Sequence, residues 1–377
     1  ARPTAGWGMF TTQVCRALSA RGDVRVNLLL PHGVPSALEG DFATTQNVLP
    51  PADRSFRRHP WNLGRHVLGP PGVPNVDIVH ALVEFPYALD AAAIARRRAV
   101  PFMVSAQGTY AVVPLQRPPD RWFYSYALRR AAVVTVPSTY TRDALLHALG
   151  KPARVELLAN GVDPARFTNG GDDRNTRARF GLPPTAAVVV SVGALKRRKG
   201  FDVLLRAFAT VREARSSTYL VIVGSGDQTG LRALAAELGV SDNVRFTGEL
   251  IESDVVDLYH ACTLFALLPR CESGHFEGFG LVFLEAGACA KPVVGTRSGG
   301  VPDAVVHGET GFLVEEEDAT AAAYRMLQVL DDPRLARALG EGGRRWAQQH
   351  SWAQYADRLV SMYRAMVSSR SQSGRPT

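Results

Sequence analysis

Apolar runs rich in β-branched residues recur along the whole chain, and the segments between them place apolar side chains every three or four positions. In the first half, VRVNLLL (24–30), VDIVHAL (76–82), VPFMVSA (100–106), AAVVTVP (131–137) and RVELLAN (154–160) read as strands buried on both faces. The stretch 9–22 reads as a helix, with Met9, Phe10, Val14 and Leu18 on one face and Gly22 where a C-cap belongs. Strand and helix alternate, so the predicted sheet is parallel. After the polar, glycine-containing stretch 160–184 the alternation restarts with AAVVVSVG, TYLVIVG, NVRFTG, LFALL, KPVVGT and TGFLV, separated by helical 202–214, 229–239 and 253–262.

The expected architecture is therefore α/β: two tandem Rossmann-like doubly wound domains facing across a cleft, with ligands beyond the carboxyl ends of the strands. The chain's 377 residues and 46% hydrophobic content also exceed what one core usually holds. The predicted boundaries are an N-terminal domain over 1–163, an interdomain connection over 164–183 and a C-terminal domain over 184–350. A helix over 351–366 is expected to pack back on the N-terminal domain, followed by a disordered tail over 367–377. The glycine segment TAGWGMF is reached with almost no chain before it, so the first strand of the N-terminal domain is expected to be missing and the sequence to be a fragment.

Composition narrows the setting. No run approaches a membrane span and no basic-then-apolar leader opens the chain, so a soluble, cytoplasmic protein is expected. The four cysteines, Cys15, Cys262, Cys271 and Cys289, have no metal-ligand spacing and read as small buried hydrophobes in a reducing compartment. The net charge is +8, and up to Asp163 there are 18 Lys/Arg against 11 Asp/Glu, so the basic excess belongs to the first half. It gathers in RSFRRHPWNLGRH (54–66), ARRRA (95–99) and RWFYSYALRR (121–130), where arginines alternate with aromatics. Such segments suit an anionic acceptor or a peripheral membrane surface at the inner face, and equally a solvated arginine-rich helix face. No nucleic-acid motif accompanies them, which removes nucleic acid as a partner.

Four glycine or charge motifs stand where an α/β domain binds ligands. Gly6 and Gly8 lead into a helix whose free N–H groups could meet an anion, or they form only a turn. Lys196, Arg197, Arg198 and Lys199 occupy the turn after a buried strand, where four cations suit a diphosphate or form a solvated basic loop. VGSGDQTG (223–230) only approximates a dinucleotide fingerprint and could carry a base or ribose. EGFG (277–280) reads as a loop ending at a helix from about Leu281 to Ala290. Glu277 then stands just outside the helix N-terminus. Glu285 lies about a turn inside, as an exposed carboxylate or an acceptor for ribose hydroxyls.

From TAGWG to the C-terminal helix the chain resembles the retaining GT-B glycosyltransferases of glycosyltransferase family 4 (glycosyl transferases group 1). The resemblance is carried by NGVD (160–163), VGxLxxRKG (192–200), VGSG (223–226), NVRFTG (243–248), Glu277-x7-Glu285, EAGACAKPVVGT and SGGVPDAV (298–305). Each is weak, but their order and spacing together are specific. The resemblance implies a nucleotide-sugar donor, a UDP- or GDP-sugar, held mainly by the second domain. Glu277 would be the catalytic residue, binding hydroxyls of the transferred sugar; Glu285 would take the ribose, and Arg198 and Lys199 the diphosphate. The backbone amides of Gly278, Phe279, Gly280 and Leu281 would hold phosphate or sugar, with Gly6 and Gly8 as further donor contacts. It further implies retention of anomeric configuration and no bound metal or other cofactor. The expected activity is transfer of a hexose to a glycan or lipid-linked acceptor in cell-envelope or exopolysaccharide biosynthesis. Alternatives are a GT-B-fold sugar-nucleotide epimerase, an NAD-dependent oxidoreductase and a degenerate, non-catalytic binding subunit. The last is motivated by Gln107, which stands where many relatives have a histidine and cannot carry a proton. Gln107 and His80 are the expected acceptor or sugar contacts. Glu272 and His275 have no assigned part.

Overall fold

Buried β-branched runs joined by helical crossovers can pair only side by side in one direction, and every ladder between the described strands is parallel. The structure is a computed structural model that describes residues 6–33, 42–51, 60–150, 154–168, 171 and 173–373. The chain forms two units, the first made of Ala1–Asn160 with Trp352–Thr377 and the second of Gly161–Ser351.

In the first unit β1 (Asn27–Pro31) pairs with β2 (Thr44–Leu49), and a second sheet runs β3 (Val79–Ala81), β4 (Phe102–Ser105), β5 (Val133–Val136), β6 (Val155–Leu157) in that order. Met103, Val104, Val133, Val134 and Val136 are buried on the two faces of β4 and β5. The helix Gly6–Ser19 contains the two glycines as its first turn rather than following them, and it ends three residues short of Gly22. Its Phe10 ring meets both Trp352 and Tyr355 edge-on at 6.0 Å. Edge-on aromatic pairs add about 0.5–1.5 kcal/mol each beyond their burial, so the helix Trp352–Ser373 is an integral part of the first unit.

The second unit holds one six-stranded sheet built from β7 (Ala187–Val192), β8 (Thr218–Val223), β9 (Val244–Gly248), β10 (Leu264–Ala266), β11 (Val293–Thr296) and β12 (Gly311–Val314), in the order β12-β11-β10-β7-β8-β9. From β7 the chain builds outward through β8 and β9, then returns to the other side of β7 to lay down β10, β11 and β12. The order therefore reverses between β7 and β10, and at such a switch point the flanking loops diverge and leave a crevice at the carboxyl ends of the strands.

Two expected boundaries move. The described residues of 164–183 are a structural part of the second unit and not a connection: Phe167 is buried, and Arg177 donates to the carbonyls of Ala186 at 2.9 Å and Ala261 at 2.8 Å. The C-terminal helix continues to Ser373, so residues 367–373 are helical where a disordered tail was expected. Residues 374–377 lie outside the described residues, as do residues 54–59 of the basic stretch 54–66. β2 was not foreseen, because TTQNVL has no apolar run and five of its six residues are at least partly exposed.

Candidate functional site

Two loops meet at the switch point of the second unit. The one after β7 carries the basic run, and the one after β10 carries EGFG. The first is tied to the VGSG turn by Leu195 N–H donating to the Ser225 carbonyl at 2.8 Å, and to the second loop by Arg270 N–H donating to the Arg198 carbonyl at 2.9 Å. A short turn over Arg197–Lys199 then sorts the four cations. Lys196 and Arg197 point outward, Arg197 pairing with Glu272 at 3.2 Å, while Arg198 and Lys199 are 21% and 12% exposed.

Both inward cations converge on one oxygen. Lys199 Nζ lies 2.6 Å and Arg198 Nη1 3.1 Å from Glu277 Oε2. Burial works against ionisation of Glu277, but Lys199 and Arg198 outweigh it and hold the carboxyl below its ordinary range. One carboxylate against two cations leaves a local excess of positive charge. The Glu277 backbone is fixed as well: its carbonyl accepts from Gly300 N–H at 2.7 Å, and a Cβ on Gly299 would lie 2.4 Å from that carbonyl oxygen, so only glycine fits there.

Gly280 caps the helix Leu281–Ala288 with φ of 93° and no side-chain cap, and its carbonyl accepts from Phe283 N–H at 3.0 Å, so the N–H groups ahead of Phe283 are those that lack a carbonyl within the helix. The helix ends at Ala288 rather than Ala290, because Cys289 and Ala290 turn into β11, Ala290 with φ of 55°. Phe279 is buried, which anchors the loop beneath these amides. One turn along, Glu285 accepts a hydrogen bond from the Tyr259 hydroxyl at 2.9 Å. Burial pushes the Glu285 carboxyl up to about 7, against the Tyr259 hydrogen bond that favours its charged form. Tyr259 is itself fully buried and stacks edge-on against Phe265 of β10 at 5.7 Å. Reading by sequence missed Tyr259; its position within the amphipathic stretch 253–262 marks only a core aromatic.

Glu272 and His275 close a tight two-residue turn, exchanging backbone hydrogen bonds at 2.8 Å with Ser273 and Gly274 at φ of 49° and 77°. That turn, and the Arg197 pair, account for the residues left without a part. Among the described residues no three His, Cys, Asp or Glu side chains gather as a metal site.

The first unit presents a different set at the carboxyl ends of its strands. His80 has both ring nitrogens engaged, with Tyr363 Oη at 2.6 Å and Ser105 Oγ at 2.9 Å, and burial pushes its pKa down to about 3. This ties β3 and β4 to the C-terminal helix and leaves no ring nitrogen for an acceptor or sugar, so the structure gives His80 a packing part instead of the expected contact. Gln107 accepts from Asn160 Nδ2 at 2.9 Å through its side-chain oxygen. Beside it, Glu84 is fully buried, and burial pushes its carboxyl up to about 8 despite the backbone N–H of Gln107 and its own.

Comparison with known proteins follows this division of the chain. Residues 5–166 match the model described as Glycosyltransferase Family 4, and residues 172–346 that described as Glycosyl transferases group 1. The chain is 40% identical over 246 residues to the GDP-mannose-dependent alpha-(1-6)-phosphatidylinositol monomannoside mannosyltransferase of Mycolicibacterium smegmatis, a match covering 63% of this chain and 64% of that protein. That is under two thirds of the relative's length. It is 33% identical over 338 residues to D-inositol 3-phosphate glycosyltransferase 1 of Catenulispora acidiphila, covering 84% of this chain and 79% of that one. Among solved structures, Anabaena Alr3699/HepE in complex with UDP superposes with a TM-score of 0.76 at 19% identity over 97% of each chain, which shows the shared GT-B fold.

Proposed function

Because this chain belongs to the family 4, group 1 glycosyltransferases, we propose that it transfers a hexose from a nucleoside diphosphate sugar to a lipid-linked or glycan acceptor with retention of anomeric configuration. The observation that carries the reading is the convergence of Lys199 and Arg198 on a single oxygen of Glu277, beside an uncapped helix N-terminus at the strand-order switch point. The two cations and the free N–H groups attract a diphosphate, and Glu277, kept ionised, accepts hydrogen bonds from sugar hydroxyls. Glu285 takes the ribose hydroxyls, its carboxylate aimed by Tyr259.

In the proposed reaction the bond between the anomeric carbon and the β-phosphate oxygen breaks as the acceptor oxygen bonds to the same face of that carbon. The acceptor's proton passes to the departing diphosphate oxygen, giving glycosylated acceptor and nucleoside diphosphate. Lys199, Arg198 and the helix N-terminus neutralise the leaving group, work that a divalent ion does elsewhere, so turnover is expected to persist in EDTA. GDP-mannose is the first donor to test, since the mycobacterial relative is named as dependent on it. The deciding experiment is transfer of labelled sugar from GDP-mannose and UDP-glucose by the chain and by Glu277→Ala. Transfer lost in the variant with unchanged circular dichroism supports the reading, and equal turnover overturns it.

A further inference from the structure

Arg270 stands between β10 and the EGFG loop, and among the described residues it is the only Lys or Arg that is buried, at 5% exposure. A cation leaves water at a high cost unless carboxylates or carbonyls meet it. Both Nη atoms of Arg270 lie 3.1 Å from Asp202 Oδ2, in the first turn of the helix Phe201–Ala214, and Nη1 lies 3.5 Å from Glu317 Oε1, beyond β12. Two carboxylates therefore face this one cation, whereas Arg198 and Lys199 share a single carboxylate. Arg270 adds nothing to the positive excess in the crevice, so its part is not that of a third phosphate ligand.

What Arg270 grips is the turn that sorts the cations. Its backbone N–H donates to the Arg198 carbonyl at 2.9 Å while its side chain holds Asp202, so one residue fastens the chain on both sides of Lys199. Between those two anchors Gly200, at φ of 68°, approaches so closely that a Cβ there would stand 1.7 Å from the Leu268 carbonyl oxygen. The loop is also tied to the segment after β12, where Glu316 Oε1 accepts from Cys271 N–H at 3.1 Å. We propose that Arg270 is a positioning residue for the diphosphate site, holding Arg198 and Lys199 at the spacing two phosphates require without touching them. Its use in turnover rests on the proposed transfer reaction; the clamp itself does not.

Hydrogen exchange and GDP titration on the full chain test it. Arg270→Gln should speed amide exchange over residues 196–202 about tenfold while β7 and β8 stay protected. It should weaken GDP about tenfold with guanosine unchanged, and lower turnover about a hundredfold, the loss that a misplacement of about 1 Å brings. Asp202→Asn removes a partner that is 38% exposed, leaves the core intact and should move the same readouts in the same direction. Arg270→Lys, which keeps the charge without the fork, should fall between Arg270→Gln and wild type. As a control, Arg177→Gln releases the carbonyls of Ala186 and Ala261 and should lower the melting temperature with GDP affinity and exchange over 196–202 unchanged. Faster exchange at the turn together with a phosphate-specific loss supports the proposal. A fall in melting temperature alone, with turn exchange and GDP affinity as in wild type, overturns it. A wild type that binds no GDP would count against the transfer reaction, and the exchange pattern would still decide the clamp.

Discussion

Each unit carries a buried or nearly buried glutamate in a loop at the carboxyl end of its sheet, and the two have opposite fates. Glu84, after β3, pairs with no cation among the described residues, and burial lifts its carboxyl to about 8, so it is mostly neutral at pH 7. Glu277, after β10, is 14% exposed and would face a similar penalty, yet Lys199 and Arg198 keep it charged. The same contrast holds for the units as wholes. The first is strongly basic but spends its arginines on its outer face, whereas the second carries a small acidic excess and draws two cations into one crevice. Where a charge stands decides its chemistry more than how many charges a domain has.

The largest expected effect breaks the ionised member of the pair. Glu277→Ala should lower turnover by about two to three orders of magnitude, the range for loss of a group that acts on developing charge. Turnover within a few-fold of wild type would mean that the paired carboxylate is structural.

The neutral glutamate should respond to pH instead. Its folded pKa is raised, so its share of stability is present below its ordinary value near 4.5 and is lost as pH rises through about 8. Glu84→Gln should therefore flatten the fall in melting temperature between pH 6 and 9 and raise Tm at pH 9 by about 5 °C. Parallel curves for the two proteins would show Glu84 already ionised.

Lys199→Ala should weaken a nucleoside diphosphate at least tenfold, roughly the 1.5–3 kcal/mol of a charge-assisted hydrogen bond, and leave the nucleoside untouched. A loss shared equally by nucleoside and diphosphate would place Lys199 away from the phosphates. The smallest change concerns Glu285. Ribose hydroxyls need its carboxylate form, so donor affinity should rise through pH 7. Tyr259→Phe removes the hydrogen bond that favours that form, which should cost about 1 kcal/mol and move the rise to higher pH. A pH profile unmoved by Tyr259→Phe would separate the two residues.

Much of the fold is legible because buried parallel strands write themselves as uninterrupted Val, Ile and Leu runs; VVV in β7 and LVIV in β8 leave little choice. β2 escapes because an exposed edge needs no such run. Strand order is hidden for another reason: nothing local in LFALL says that β10 returns to the far side of β7, and that return creates the crevice. The site's residue types could be read from motif order, but not the sorting of four adjacent cations, which depends on the three-residue turn at Arg197–Lys199. Nor could the part of Tyr259, which reaches Glu285 from 26 residues away. His80 shows the opposite error, a polar residue at a strand end that the fold consumes internally.

In the proposed mechanism Glu277 reads the sugar while Lys199 and Arg198 hold the diphosphate. Calorimetric titration of GDP-mannose and of GDP into the wild type and Glu277→Ala separates those parts. Removing the carboxylate frees two cations, so the variant should bind GDP as tightly as the wild type or more so, yet lose its extra affinity for GDP-mannose. Equal weakening of both ligands, or no change in either, would contradict the account.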